Sequence, residues 1–229
     1  MDLLRTLADK VASGRAAVVT VDVQNDFCHE QGFLGKLGAP MQLIQAMVPR
    51  LAGFLDAARA HAVPVIHVIS HHDEQYASPV VTEQKLRHGL PMELDGRPLR
   101  DAPYCLQGTW GAELYGIDAR PGEEVVVKHR YSAFHNTSLD LLLRSRGIQT
   151  VILTGVATNV CVESTGRDVY MHDYYLVFVS DGTATTSQAA HDTTLANIDQ
   201  FFGQVATADA IAATWAATGA RPRAVAAGR

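Results

Sequence analysis

Thr150-Val151-Ile152-Leu153-Thr154-Gly155-Val156-Ala157-Thr158-Asn159-Val160-Cys161-Val162-Glu163-Ser164-Thr165 is the stretch that decides how this chain folds. An apolar run at 150–153 ends in a turn of small residues, and a cysteine stands where the next helix should begin. A thiol at a helix N-terminus faces unpaired N–H groups and the positive end of the helix dipole, and both favour the nucleophilic thiolate. A free cysteine in a protein core is more often a packing residue. Partners elsewhere in the chain must decide between the two.

Outward from this strand–turn–helix unit the same alternation repeats. Strand-like runs lie at 16–23 (AAVVTVDV), 63–69 (VPVIHVI), 124–128 (EVVVK), 174–179 and 204–206. Helical spacing of apolar residues marks 41–60, 137–146, 160–172, 187–201 and 208–217, with Thr137 and Gly147 as the cap and stop of the second. Residues 70–122 are irregular and hold most of the prolines, which suggests a long functional loop with one or two short helices. The pattern predicts a doubly wound α/β fold, a mostly parallel six-stranded sheet with helices on both faces. Residues 1–218 are expected to form one domain, opened by a short lead-in helix, with 219–229 a frayed tail.

Composition narrows the partners. The chain has 229 residues, 47% hydrophobic and 19% charged, with net charge −5 and no basic run, so neither nucleic acid nor an anionic membrane is an expected partner. No apolar run reaches membrane-spanning length and no signal-like N-terminus is present. Cys28, Cys105 and Cys161 are odd in number and widely spaced, which fits a reducing cytoplasm and neither a disulfide framework nor a zinc knuckle.

Open α/β sheets bind ligands beyond the carboxyl ends of their strands. Two charged residues stand there besides the cysteine turn. Asp22 interrupts the first strand, where an unpaired carboxylate would be costly, whereas Asp26 suits a turn cap. Lys128 closes the strand at 124–128. On one sheet edge the three can cooperate: Lys128 holds negative charge, Asp22 shuttles the thiol proton, Cys161 attacks, and the N–H groups of Ala157 and Cys161 receive the oxyanion. The chemistry is acyl transfer to water through a thioester, with no cofactor.

These residues sit in VDVQNDF (Asp22), VVVKHRYSAF (Lys128) and TGVATNVCVESTGRD (Cys161), and together they resemble the isochorismatase-like cysteine hydrolases. The likeness runs from about Val18 to Gln204 and implies an Asp–Lys–Cys triad, a cis peptide before Ala157, and a homo-oligomer, dimer or tetramer. The segment 128–137, the Asp73-Glu74-Gln75-Tyr76 run and the late Asn197-Ile198-Asp199-Gln200-Phe201-Phe202-Gly203 look most like ureidoacrylate amidohydrolases. That group implies a small ureido or carbamoyl substrate. Biuret and triuret hydrolases, N-carbamoylsarcosine amidohydrolases and nicotinamidase-like amidases are the alternatives, and a silent binding protein of the same fold is the non-enzymatic one. Cys161 argues against a true isochorismatase.

Two departures fall in the expected substrate wall: His71 and His72 replace a tryptophan, and His135 replaces an aromatic residue. Candidates for that wall are Asn25, Phe27, His72, Glu74, Tyr76, Gln107, Trp110, Tyr131 and Phe134, each of which has packing as its plainer explanation. Arg130 could bind a carboxylate or carbonyl. No metal site is expected, because adjacent His71 and His72 lack the Asp-x-His spacing of zinc-binding relatives and His67 alternates with apolar strand residues.

Overall fold

The computed structural model describes residues 3–72, 74–90, 93–94, 96–98 and 104–218. The expected tail at 219–229 and Asp73 lie outside the described residues. In chain order the elements are α1 (Leu7–Val11), β1 (Ala16–Val21), α2 (Asn25–Cys28), α3 (Phe33–Lys36), α4 (Gln42–Ala60), β2 (Val65–Ser70), α5 (Pro79–Arg87), β3 (Glu93–Leu94), β4 (Arg97–Pro98), β5 (Glu124–Lys128), α6 (Leu139–Ser145), β6 (Thr150–Val156), α7 (Glu163–Met171), β7 (Tyr175–Ala184), α8 (Gln188–Phe201), β8 (Gln204–Ala206) and α9 (Ala208–Thr218). Short 3₁₀ turns occupy Glu74–Tyr76 and Trp110–Ala112, and a π turn spans Thr158–Val162.

Six strands form one sheet in the order β5-β2-β1-β6-β7-β8, and every pairing in it is parallel, where sequence suggested only a mostly parallel sheet. β3 and β4 form a separate two-residue antiparallel pair. Central strands are buried at every position and mostly apolar because both faces are covered. Ala16, Val18 and Ile152 point to the α4 and α9 side with Leu51, Phe54 and Trp215; Val19, Val21 and Leu153 point to the α6, α7 and α8 side with Leu143, Val169 and Ile198. This alternation along each strand is the period-two geometry of β structure. Among the described residues no helix is long and apolar enough to cross a membrane.

Sequence boundaries shift where tertiary packing outweighs local signals. β6 and β7 extend beyond the apolar runs at 150–153 and 174–179, because the sheet continues to satisfy their backbone. Thr137 does not cap α6 directly. Its hydroxyl bonds the Ala133 carbonyl and the Leu139 N–H, and the helix starts two residues later.

The topology switches direction at β1, where the chain departs to β2 on one side and returns to β6 on the other. Val21 pairs with Gly155 at the end of this junction. A Cβ on Gly155 would lie 2.1 Å from the Val21 carbonyl oxygen, and its φ of +117° is one that other residues rarely adopt. Gly155→Ala is therefore expected to lower stability by more than about 2 kcal/mol in urea denaturation. Gly53→Ala, on α4 with open space around its Cβ position, should instead be neutral or stabilise by about 0.5–1 kcal/mol. Equal effects at the two sites would contradict the close approach of β1 and β6.

Candidate active site

Four adjacent strands end on one cavity. In sheet order they bring Lys128 (β5), Ser70 (β2), Asp22 (directly after β1) and the turn after β6 that carries Ala157 and Cys161. The cavity holds about 350 Å³ and is lined mainly by apolar atoms. β2 separates the strands of Lys128 and Asp22, so the lysine must reach across it, and the Ser70 hydroxyl fills the gap. Lys128 Nζ donates to Ser70 Oγ at 2.8 Å and to the Arg130 carbonyl at 3.0 Å, and Ser70 Oγ donates to Asp22 Oδ1 at 2.9 Å. Asp22 Oδ2 lies 2.8 Å from Nζ. This last contact is a buried ion pair.

Both members of the pair are 1% exposed. Burial works against the Lys128 ammonium, but the Asp22 carboxylate, aided by Cys161, outweighs it and holds the lysine pKa above its ordinary value. Cys161 is pushed the other way from the expectation drawn from its helix-start position. Burial and then the Asp22 carboxylate raise its pKa well above that of a free thiol, and Lys128 only partly opposes them. These surroundings favour the protonated sulfur. Its turn also differs from a simple helix N-terminus: Cys161 lies inside the π turn Thr158–Val162, one turn before α7 begins. Such wide turns recur at functional sites. The Val156–Ala157 peptide is cis, as the resemblance implies.

Side chains outside the cavity fix these elements. The Thr165 hydroxyl donates to the Cys161 carbonyl at 2.7 Å and accepts the Ala133 N–H at 3.0 Å, tying the cysteine turn to the loop after β5. Gln24 accepts the Ser70 N–H at 2.8 Å and donates to the carbonyls of Ser70 and Ala112. Asn25 Nδ2 donates to the Trp110 carbonyl, and Asp26 accepts the N–H groups of Phe33 and Cys105. Three consecutive side chains after Asp22 thus grip the long excursion between β2 and β5.

Of the wall candidates, Phe27, His72 and Tyr131 line the cavity. Asn25 is spent on the Trp110 carbonyl and belongs to the scaffold. Phe134 is buried in the core on the α6, α7 and α8 side of the sheet, where it stacks on His172 at 4.7 Å. Trp110 and Gln107 are exposed, Trp110 with its ring edge-on to His29. Tyr76 stacks on His129 at 3.6 Å beside the cavity. The side chain of Glu74 lies outside the described residues. Arg130 lines the rim, its Nη1 donating to the carbonyls of Tyr76 and His129. Burial drives the His72 pKa down to about 3, with Lys85 and Lys128 adding to the effect, so its ring is neutral. His67 is fully buried between Thr20 and Glu123, each at 3.0 Å. Cys28 and Cys105 are buried, and burial raises both thiols.

Sequence reasoning missed Ser70, Tyr104 and Lys85, all of which line the cavity. Ser70 had a usable signal: a hydroxyl ending an apolar strand, as Asp22 and Lys128 do. Tyr104 and Lys85 come from the irregular excursion and had none.

Comparison with known proteins agrees with this architecture. Residues 16–210 match the isochorismatase domain family model. A ureidoacrylate amidohydrolase from Enterobacter sp. (strain 638) is 35% identical over 200 residues, covering 86% of this chain and 87% of that protein. A cysteine hydrolase from Pseudomonas syringae pv. phaseolicola superposes with a TM-score of 0.77 at 25% identity, covering 95% of this chain and 98% of that one. N-carbamoylsarcosine amidase from Thermoplasma acidophilum gives 0.65 at 25% identity, with 85% and 97% covered. The chain belongs to the isochorismatase domain family.

Proposed function

We propose that the protein is a cysteine amidohydrolase that cleaves a C–N bond of a small ureido acid of the ureidoacrylate type. The observation that carries this reading is the buried Lys128–Ser70–Asp22 network beside the Cys161 thiol on one cavity. Similarity to a ureidoacrylate amidohydrolase supports the ureido group as the electrophile.

The chemistry follows from the charges. A thiol with a raised pKa needs a base at the moment of attack, and the Asp22 carboxylate lies within hydrogen-bond reach of it. Asp22 takes the proton as sulfur attacks the ureido carbonyl. Lys128 compensates the negative charge, which passes from carboxylate to sulfur and oxygen without leaving the site. The N–H groups of Ala157 and Cys161 receive the oxyanion. Asp22 then returns its proton to the departing nitrogen, leaving a carbamoyl thioester on Cys161. Water, deprotonated by Asp22, attacks the thioester and releases carbamate, and the sulfur is reprotonated. Ser70 positions both charged groups, and Phe27 and Tyr131 supply the apolar wall that excludes water.

Two properties of the molecule accompany this reading. A free Cys161 thiol suits a reducing cytoplasm. Exposed Tyr170, Met171 and Phe201 on α7 and α8 offer an apolar surface for a homo-oligomer.

The direct test is ammonia release from a panel of ureidoacrylate, 3-ureidopropionate, biuret, triuret and nicotinamide. Ureidoacrylate should lead, and Cys161→Ser should lower its turnover at least about 10³-fold. Hydrolysis unaffected by the substitution sinks the mechanism, and no turnover by the wild type favours a binding protein.

The charge assignment has its own signature. Removing the Asp22 carboxylate leaves Lys128 unopposed, so Asp22→Asn should lower the Cys161 pKa and speed its alkylation by iodoacetamide at pH 8. The same variant should lose about 10²-fold or more in turnover. Alkylation and turnover falling together would mean Asp22 acts only on the fold.

Ser70→Ala should retain the pair yet loosen its geometry, lowering kcat by about ten- to a hundredfold with KM little changed. A wild-type kcat would remove Ser70 from the site.

A further inference from the structure

Lys85 is a buried charge of the cavity that the proposed reaction does not use. It lies on α5, is 9% exposed, and lines the same cavity as Cys161. Its Nζ stands 4.2 Å from the centroid of the Tyr104 ring and has no hydrogen-bond partner among the described residues. The surroundings are aromatic: Tyr104 packs on Phe33 at 4.5 Å, His72 at 4.4 Å and Phe27 at 5.6 Å. A cation on a ring face recovers some of its lost hydration, but an isolated buried ammonium remains costly.

Charge counting around the cavity sharpens the point. Among the described lining residues Asp22 is the sole carboxylate, and Lys128 already neutralises it. The surroundings of Cys161 favour its protonated form, and His72 is neutral. Arg130 stays at the rim with carbonyl partners. Among the described residues Lys85 is left as an interior positive charge with no counter-ion: it is buried, and its Nζ is unpaired.

We propose that Lys85 is the specificity-determining residue that binds the carboxylate of the substrate, so that the enzyme selects anionic ureido acids over neutral ureido compounds. The missing partner is an anion, and a carboxylate would supply both the counter-charge and the hydrogen bonds that Nζ lacks. Burial lowers the Lys85 pKa to about 8, so the free residue is still largely protonated near neutrality, and a bound carboxylate would raise it again. The identity of the acid rests on the ureido reading above; the anion preference does not.

The test is therefore a binding measurement. Protection of Cys161 from iodoacetamide, followed by mass spectrometry of its peptide, is compared for 3-ureidopropionate and the neutral 3-ureidopropionamide. Wild type should be protected by the acid at a concentration at least about tenfold below that needed for the amide. Lys85→Met should abolish this difference while leaving the amide unchanged, and Lys85→Arg should keep most of it. Lys85→Met should also raise Tm, because it removes an unpaired buried charge, whereas a structural lysine would lower Tm on removal. Equal protection by acid and amide in the wild type, a preference that survives in Lys85→Met, or no protection by either compound overturns the proposal. An intact acid preference without ammonia release from ureidoacrylate would refute the ureido hydrolysis alone and leave the anion site standing.

Discussion

An ion pair sealed from water is the constraint on which the site depends. Asp22 and Lys128 come from strands that are not neighbours, and neither charge is tolerable in the sheet interior alone. Each makes the other possible, and the Ser70 hydroxyl makes their distance possible by accepting from one and donating to the other. The parallel sheet contributes something that no single element could: three adjacent carboxyl-terminal strand ends in register, with the cysteine turn on the fourth.

Within that frame the thiol's position has a consistent logic. A helix start favours a thiolate in water-exposed settings, yet burial and the Asp22 carboxylate reverse the preference here. The cavity keeps one negative charge at rest, on the carboxylate, with Lys128 beside it. The proposed reaction moves that charge among oxygen, sulfur and the substrate oxyanion without requiring a second counter-ion. A permanently ionised thiol next to an ionised carboxylate would need one.

How much of this could be read from the chain depended on whether the signal was local. Asp22 and Lys128 break apolar strands, and Cys161 follows one, so each stands out against its own neighbours. The helix and strand alternation that carries them is equally local. Lys85 looks like any lysine of a short polar helix, and only the folded protein buries it, with its Nζ over the Tyr104 ring. Phe134, six residues after Lys128, suggested a wall residue by proximity. Its ring is instead buried in the core and stacked on His172. Asn25, polar and three residues from Asp22, had the chemistry of a substrate ligand, but the Trp110 carbonyl already occupies its amide. Side-chain destinations across a sheet or loop depend on long-range packing, which periodicity does not encode.

Gln24, Asn25 and Asp26 each hold a different point of the excursion between β2 and β5, at Ser70 and Ala112, at Trp110, and at Cys105. The reacting groups stand on the sheet, while Lys85 and Tyr104 stand on the excursion, and the two are joined by a clasp of three side chains. In the proposed reaction the sheet end breaks the bond, and the excursion contributes Lys85 to the choice of substrate. On the proposed reading, a change at Lys85 on α5 alters which substrate fits, while the ion pair and the nucleophile keep their own supports on the sheet. A protein built this way can acquire a new substrate by changing a residue on the helix of that excursion, leaving its nucleophile and ion pair where they are.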